Sequence, residues 1–127
     1  LEPSAGNGLL VCQLPRVAEL QINELNETRR GRLADIFPGT TITGHDGAAI
    51  ASTLADKNPP SLILMNPPFS RSLGRGTDHL AAVRHLAAAI THLRPGGRIV
   101  AVMPDWFSRS AKMREIAAQN PDFSTKS

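Results

Sequence analysis

The sequence predicts an α/β protein built on a doubly wound, mostly parallel sheet with helices on both faces. Short apolar or β-branched runs alternate along the chain with segments of helical period. Two runs, Ser61 to Met65 and Ile99 to Met103, are continuously apolar, as expected of strands buried on both faces of a parallel sheet. Glycine, carboxylate and amide residues fall directly after the predicted strands, where ligands gather in sheets of this kind.

Glu2 to Gly8 reads as a turn, followed by a short helix over Leu9, Leu10, Val11, Cys12 and Leu14 that Pro15 stops. Val17, Ala18, Leu20 and Ile22 mark a strand from Val17 to Asn23. A helix follows from Asn26 to Phe37, with Leu33, Ile36 and Phe37 on one side, Arg29, Arg30 and Arg32 elsewhere, and Pro38-Gly39 as its stop. Thr40 to His45 is a short β-branched strand, and Gly47 to Leu54 a modest helix. After the strand Ser61 to Met65 comes the clearest helix, in which Leu80, Val83, Leu86, Ala87, Ile90 and Leu93 recur at helical spacing. Thr77 or Asp78 caps it and Arg94-Pro95-Gly96-Gly97 ends it. Ile99 to Met103 is the next strand, Ser108 to Gln119 the last helix, and the polar stretch 120–127 is expected to fray.

With 127 residues and 41% hydrophobic content, the chain supports one compact core at most. Fourteen Lys and Arg against eleven Asp and Glu leave a net charge of +3, which permits an anionic partner without requiring one. The single cysteine excludes an internal disulfide framework and a cysteine-based zinc site; Cys12 reads as a small buried hydrophobe in a reducing compartment. No apolar run approaches the roughly 20 residues that span a bilayer, so the expected setting is cytoplasmic, with no membrane partner. His79, His85 and His92 lack the i, i+4 spacing of a helical metal site, and no metal is expected. The chain opens at Leu1 and reaches a glycine turn within a few residues, so it reads as part of something longer whose first strand is cut away.

In Glu2-Pro3-Ser4-Ala5-Gly6-Asn7-Gly8, the paired glycines let the backbone turn tightly and approach a ligand with no Cβ between. A plain strand-to-helix turn would use glycines too, but here Glu2 and Ser4 add polar side chains. Glu24 ends the next strand, where a carboxylate accepts both hydroxyls of a ribose. No Lys-Ser or Lys-Thr pair follows the turn to hold phosphates, so the ligand reads as a nucleoside without a phosphate tail. Asp46 can accept from an adenine amino group, cap the helix that starts at Gly47, or both. The strongest signal is Asn66-Pro67-Pro68-Phe69 after a buried strand. The prolines remove two donors and fix φ, which holds the Pro67 carbonyl outward as an acceptor. With the Asn66 amide oxygen and the flat face of Phe69, that pattern suits a planar ring carrying an exocyclic amino group. Arg71 and Arg75, with Gly74 and Gly76 between and beside them, form either a phosphate-contacting or a solvated loop. Trp106 and Phe107 either wall the pocket or pack in the core.

The turn Glu2 to Gly8 together with Asn66-Pro67-Pro68-Phe69 resembles the two signature motifs of class I S-adenosylmethionine-dependent methyltransferases of the amino-methylating branch. Within that branch the chain is most similar to DNA adenine-N6 methylases, specifically the methyltransferase-like domain joined to strawberry-notch-type helicases in phage and plasmid proteins. The resemblance covers Leu1 to about Phe107 and implies a truncated Rossmann-like core, with strands two to five plus the cofactor turn within 1–127. It implies S-adenosyl-L-methionine as cofactor. Gly6 and Gly8 would lie against its methionine part, with Pro3, Ser4 and Ala5 in the same turn and Glu2 near the charged end. Glu24 would hold the ribose, Asp46 the adenine, and Asn66 would border the cofactor as well as the target. Asn66 and the Pro67 carbonyl would orient the target amino group, with Pro68 completing the turn and Phe69 stacking on the base. DNA or RNA is the implied partner, with a helicase domain in the same parent chain. Related enzymes use the same motif on guanine amino groups of ribosomal RNA and on protein glutamine side chains, and a silent module that binds cofactor or nucleic acid is a further alternative.

Overall fold

A computed structural model describes residues 1–15, 19–72 and 77–121, with backbone alone at Arg71 and Ser72. The chain is a small α/β protein of helices and short, mostly parallel strands. Its strands are β1 (Gln21–Asn23), β2 (Thr41–Thr43), β3 (Leu62–Met65), β4 (Arg71–Ser72), β5 (Thr77–Asp78) and β6 (Arg98–Ala101). Its helices are α1 (Leu9–Cys12), α2 (Glu27–Ile36), α3 (Ile50–Thr53), α4 (Ala81–His92) and α5 (Ala111–Gln119).

β1 pairs in parallel with β2, and β3 in parallel with β6. The backbone of Leu1 and Glu2 joins the two pairs. Leu1 N donates to Leu62 O at 2.9 Å and Leu64 N donates to Leu1 O at 3.0 Å, the slanted pattern of a parallel ladder. On the other side, Glu2 N donates to Gln21 O at 3.0 Å and Asn23 N to Glu2 O at 2.8 Å. The order across the molecule is therefore β2, β1, Leu1-Glu2, β3, β6.

One core gathers Ile63 and Met65 of β3, Val83, Leu86 and Ala89 of α4, Phe107, and Ile116 of α5. A second joins Val11 of α1, Ile22 of β1 and Leu33 of α2, flanked by Phe37 and Ile42. α4 forms where its apolar spacing was legible. Its N-cap is Leu80 and no side chain caps it, so neither Thr77 nor Asp78 takes the expected capping role; the Asp78 carboxylate accepts the Leu80 N–H at 2.9 Å and pairs with Arg84 in the first turn. Asn26 caps α2 by accepting the Arg29 N–H at 3.0 Å.

Several elements depart from expectation. β3 and β6 are half covered rather than buried on both faces: Leu62 and Leu64 are only partly buried, and Val100 and Val102 are 55% and 48% exposed. A continuous apolar run cannot report how many of its faces are covered, and β6 has β3 as its one neighbour among the described strands. Cys12 is exposed, because α1 is a single turn and Val11, about 100° away round the helix, takes the inward position. The helix predicted from Gly47 begins as a 3₁₀ turn (Gly47–Ala49), and the one predicted from Ser108 splits into a 3₁₀ turn (Asp105–Arg109) and α5. Ser110 causes that break, its Oγ capping α5 through the Met113 N–H at 3.1 Å. β4 and β5 pair antiparallel where the sequence pattern predicts only a loop. Val17, Ala18, Gly74, Arg75, Gly76 and the tail beyond Pro121 lie outside the described residues. Among those described, no helix is long and apolar enough to cross a membrane.

Candidate functional site

Parallel strands in register end together. Bonds from Ala5 N to Asn23 O (2.9 Å), Glu24 N to Thr43 O (3.0 Å) and Val102 N to Met65 O (2.9 Å) carry the ladders just past the strands. The Glu2–Gly8 turn, Glu24, the approach to Asp46, Asn66-Pro67-Pro68-Phe69 and the segment after β6 thus all leave the sheet at its carboxyl end. The sequence predicts that all five groups face one crevice; the structure shows their common exit at the carboxyl end.

The glycine turn is fixed by φ of +58° at Gly6 and +81° at Gly8, a region that L side chains rarely adopt. Nothing lies within 4 Å of where a Gly6 Cβ would stand, which leaves the backbone there open to a ligand. At Gly8 a Cβ would come within 2.9 Å of both Leu33 Cδ2 and Phe37 Cε2. Gly8→Ala is therefore expected to lower stability by about 1–3 kcal/mol in a denaturant melt, and Gly6→Ala by less.

Two carboxylates converge on this turn. Glu24 is buried, its Oε2 accepting the Gly6 N–H at 2.7 Å and its Oε1 the Asn26 N–H at 2.8 Å. Each oxygen keeps a second lone pair for a ligand hydroxyl. Glu2, 2% exposed, accepts the Ser4 N–H at 3.1 Å. Burial pushes its pKa up to about 7; the charge of Glu24 adds to the rise, and the Ser4 N–H opposes it.

From the sequence Asn23 is only a strand end, yet in the fold it ties the site together. Its Nδ2 donates to Pro3 O and His45 O, both at 2.9 Å, while Oδ1 accepts from His45 N at 2.9 Å and Thr43 Oγ1 at 2.8 Å. The available signal was an amide at the end of an apolar strand, where burial demands that every polar atom find a partner.

Asp46 caps the 3₁₀ turn, Oδ1 accepting the Ala48 N–H at 3.0 Å, and the same oxygen lies 3.8 Å from His85 Nε2. His85 is buried on α4 against Gly47, where a Cβ would sit 2.7 Å from its Nδ1 and 3.0 Å from Pro3 O. Asp46 is half-buried, so capping leaves part of its carboxylate at the surface.

In Asn66-Pro67-Pro68-Phe69, the Pro67 ring is fully buried and anchors the turn, while Asn66 and Pro68 are exposed and Phe69 is 45% exposed. Among the described residues, no hydrogen bond reaches the Asn66 amide or the Pro67 carbonyl. The exposed Asn66 amide and the Phe69 face stand where the pattern predicts them, whereas Pro67 is buried and does not carry its carbonyl to the surface as expected. Phe107 joins the core and Trp106 is 43% exposed, their rings edge-to-face at 6.1 Å. Arg71 lies in β4, two residues beyond Phe69, and Arg75 falls outside the described residues.

A cavity of about 510 Å³ opens toward the amino ends of β1 and β3, lined by Leu1, Glu2, Leu14, Leu20, Asn58 and Leu62 among others, so Glu2 borders it as well as the turn. No group of three or more His, Cys, Asp or Glu is arranged to hold a metal among the described residues. The carboxyl-end site is instead rich in acceptors, suited to hydroxyl, amino and cationic groups. Comparisons with protein-family models, with curated proteins and with solved structures found no match for this chain.

Proposed function

We propose that the chain carries the cofactor turn and target-binding turn of an S-adenosylmethionine-dependent amino-methyltransferase acting on the N6 amino group of adenine in DNA. What supports this reading is the common exit of the glycine turn, Glu24, Asp46 and Asn66-Pro67-Pro68-Phe69 at one end of adjacent parallel strands. In a Rossmann-like core, Leu1 and Glu2 would end the first strand, with β1, β2, β3 and β6 as strands two to five. The acceptor set fits the cofactor: carboxylates for a ribose, an adenine amino group and an ammonium, and a turn whose Gly6 faces open space.

The cofactor supplies a methyl group on a cationic sulfur. Glu24 would hold the ribose, Asp46 the adenine amino group and Glu2 the ammonium. Asn66 Oδ1 would accept a hydrogen of the target amino group. An adenine amino nitrogen is a poor nucleophile because its lone pair is drawn into the ring. Acceptors that hold its hydrogens out of the ring plane favour the transition state over the ground state. Alignment of the reactants adds on the order of 7–11 kcal/mol over a bimolecular encounter. In duplex DNA the base leaves the stack at a cost of roughly a few kcal/mol, part of which stacking on Phe69 offsets. Arg71 and Arg75 would meet phosphates beside the base. DNA, in a cytoplasmic setting and with a helicase domain in the same parent chain, is the partner that goes with this reading.

Incubation with methyl-labelled S-adenosylmethionine and DNA, RNA or protein, followed by mass spectrometry of nucleosides and residues, tests it. N6-methyladenine in DNA is the expected product. Label confined to RNA guanine or to protein glutamine would move the chemistry to another target, and cofactor binding without any transfer would make the chain a silent binding module.

A further inference from the structure

We propose that Arg30 is a positioning residue for Glu24, and that it thereby sets the preference for a ligand carrying both ribose hydroxyls; this rests on the reading of Glu24 given above. The sequence reading grouped Arg30 with Arg29 and Arg32, but those two are exposed and Arg30 is half-buried. Its Nη1 donates to Glu24 O at 3.0 Å and to Leu25 O at 2.6 Å. One nitrogen thus holds two consecutive carbonyls, so the peptide after Glu24 cannot turn without breaking a charge-assisted bond. Across the gap, Gly44 at the exit of β2 lies flat against the guanidinium, and a Cβ there would fall 2.8 Å from Arg30 Cζ and Nη1. The guanidinium is therefore wedged between the exits of β1 and β2. Glu24 is already fastened to Gly6 and Asn26 through its carboxylate oxygens. Arg30 fastens its main chain, so the remaining lone pairs keep a fixed direction.

Two substitutions break this contact by different routes. Arg30→Met keeps the aliphatic stem and removes the donors. Gly44→Ala leaves Arg30 in place but puts a methyl where the guanidinium lies; Gly44 is not in the left-handed region, so alanine there meets only the movable end of a side chain. The measurement is the calorimetric Kd of S-adenosylhomocysteine and of its 2′,3′-dideoxy analogue, with a thermal melt of each variant.

Wild type is expected to prefer the hydroxyl-bearing ligand by about tenfold or more. Both variants should reduce that preference by about fivefold while leaving the Kd of the dideoxy ligand within about twofold. Arg30→Lys, a point charge without the planar fork, should recover only part of it. Equal weakening of both ligands would mean that Arg30 only supports the fold, and an unchanged preference would remove it from the site; either overturns the proposal. If wild type binds both ligands equally, the ribose role of Glu24 fails and the proposal with it. If wild type binds neither, the methyltransferase reading itself fails.

Discussion

Asn66→Ala is expected to lower methyl transfer by about 100- to 1,000-fold while changing the Kd for S-adenosylhomocysteine by no more than about twofold. The reason lies in where the side chain stands. Asn66 is exposed at the end of β3, and its amide is held by no other described residue, so its removal leaves the packing untouched. The buried Pro67 ring, not Asn66, anchors the turn. Loss of the Oδ1 acceptor should therefore appear in kcat, because that acceptor matters most as the target nitrogen forms its new bond. A parallel loss of cofactor affinity would assign Asn66 to the cofactor instead.

Glu2→Gln is expected to remove the fall in stability that the buried Glu2 carboxyl causes as pH rises from about 4.5 to 8, leaving the opposite, upward trends of His92 and the Leu1 amine, whose pKa values burial lowers. The wild-type carboxyl has a pKa of about 7 in the folded chain against an ordinary 4.5, with burial as the main cause. The folded state therefore holds its proton more tightly than the unfolded one. Its full contribution is present below pH 4.5 and is lost as pH rises through about 7, a difference on the order of 3 kcal/mol. Glutamine still accepts the Ser4 N–H, so denaturant melts should coincide for the two proteins near pH 4 and favour the variant at pH 8. A ligand ammonium beside Glu2 would stabilise the carboxylate, so cofactor affinity in wild type should rise over the same interval. Parallel stability curves for the two proteins from pH 4 to 8 would mean that Glu2 is not the titrating group.

The chemistry of the site was more legible than its supports. Glu24, Asp46 and Asn66-Pro67-Pro68-Phe69 announce themselves by residue type just after predicted strands, and a parallel sheet brings strand exits together whatever the strand lengths. Asn23, His85 and Arg30 were not legible as parts of the site: Asn23 and His85 act across a long separation, and Arg30, which bonds its near neighbours Glu24 and Leu25, is held there by the distant Gly44. Asn23 reaches Pro3 and His45, His85 lies against Gly47, and Arg30 against Gly44. Such pairs follow from how the elements pack, and local periodicity says nothing about them. The half-covered state of β3 and β6 was hidden for the same reason, since burial of a strand's second face depends on a neighbour far along the chain.

The proposed function requires that the carboxyl end of these strands, and no other surface, binds a nucleoside cofactor. Amide chemical shifts of the labelled chain, recorded while S-adenosylhomocysteine is added, test it most directly. Saturable shifts are expected, concentrated at Ser4, Gly6, Glu24, Asp46 and Asn66. Shifts confined to the opposite end, at Leu14, Leu20, Asn58 and Leu62 around the 510 Å³ cavity, or no shifts at all, would contradict it.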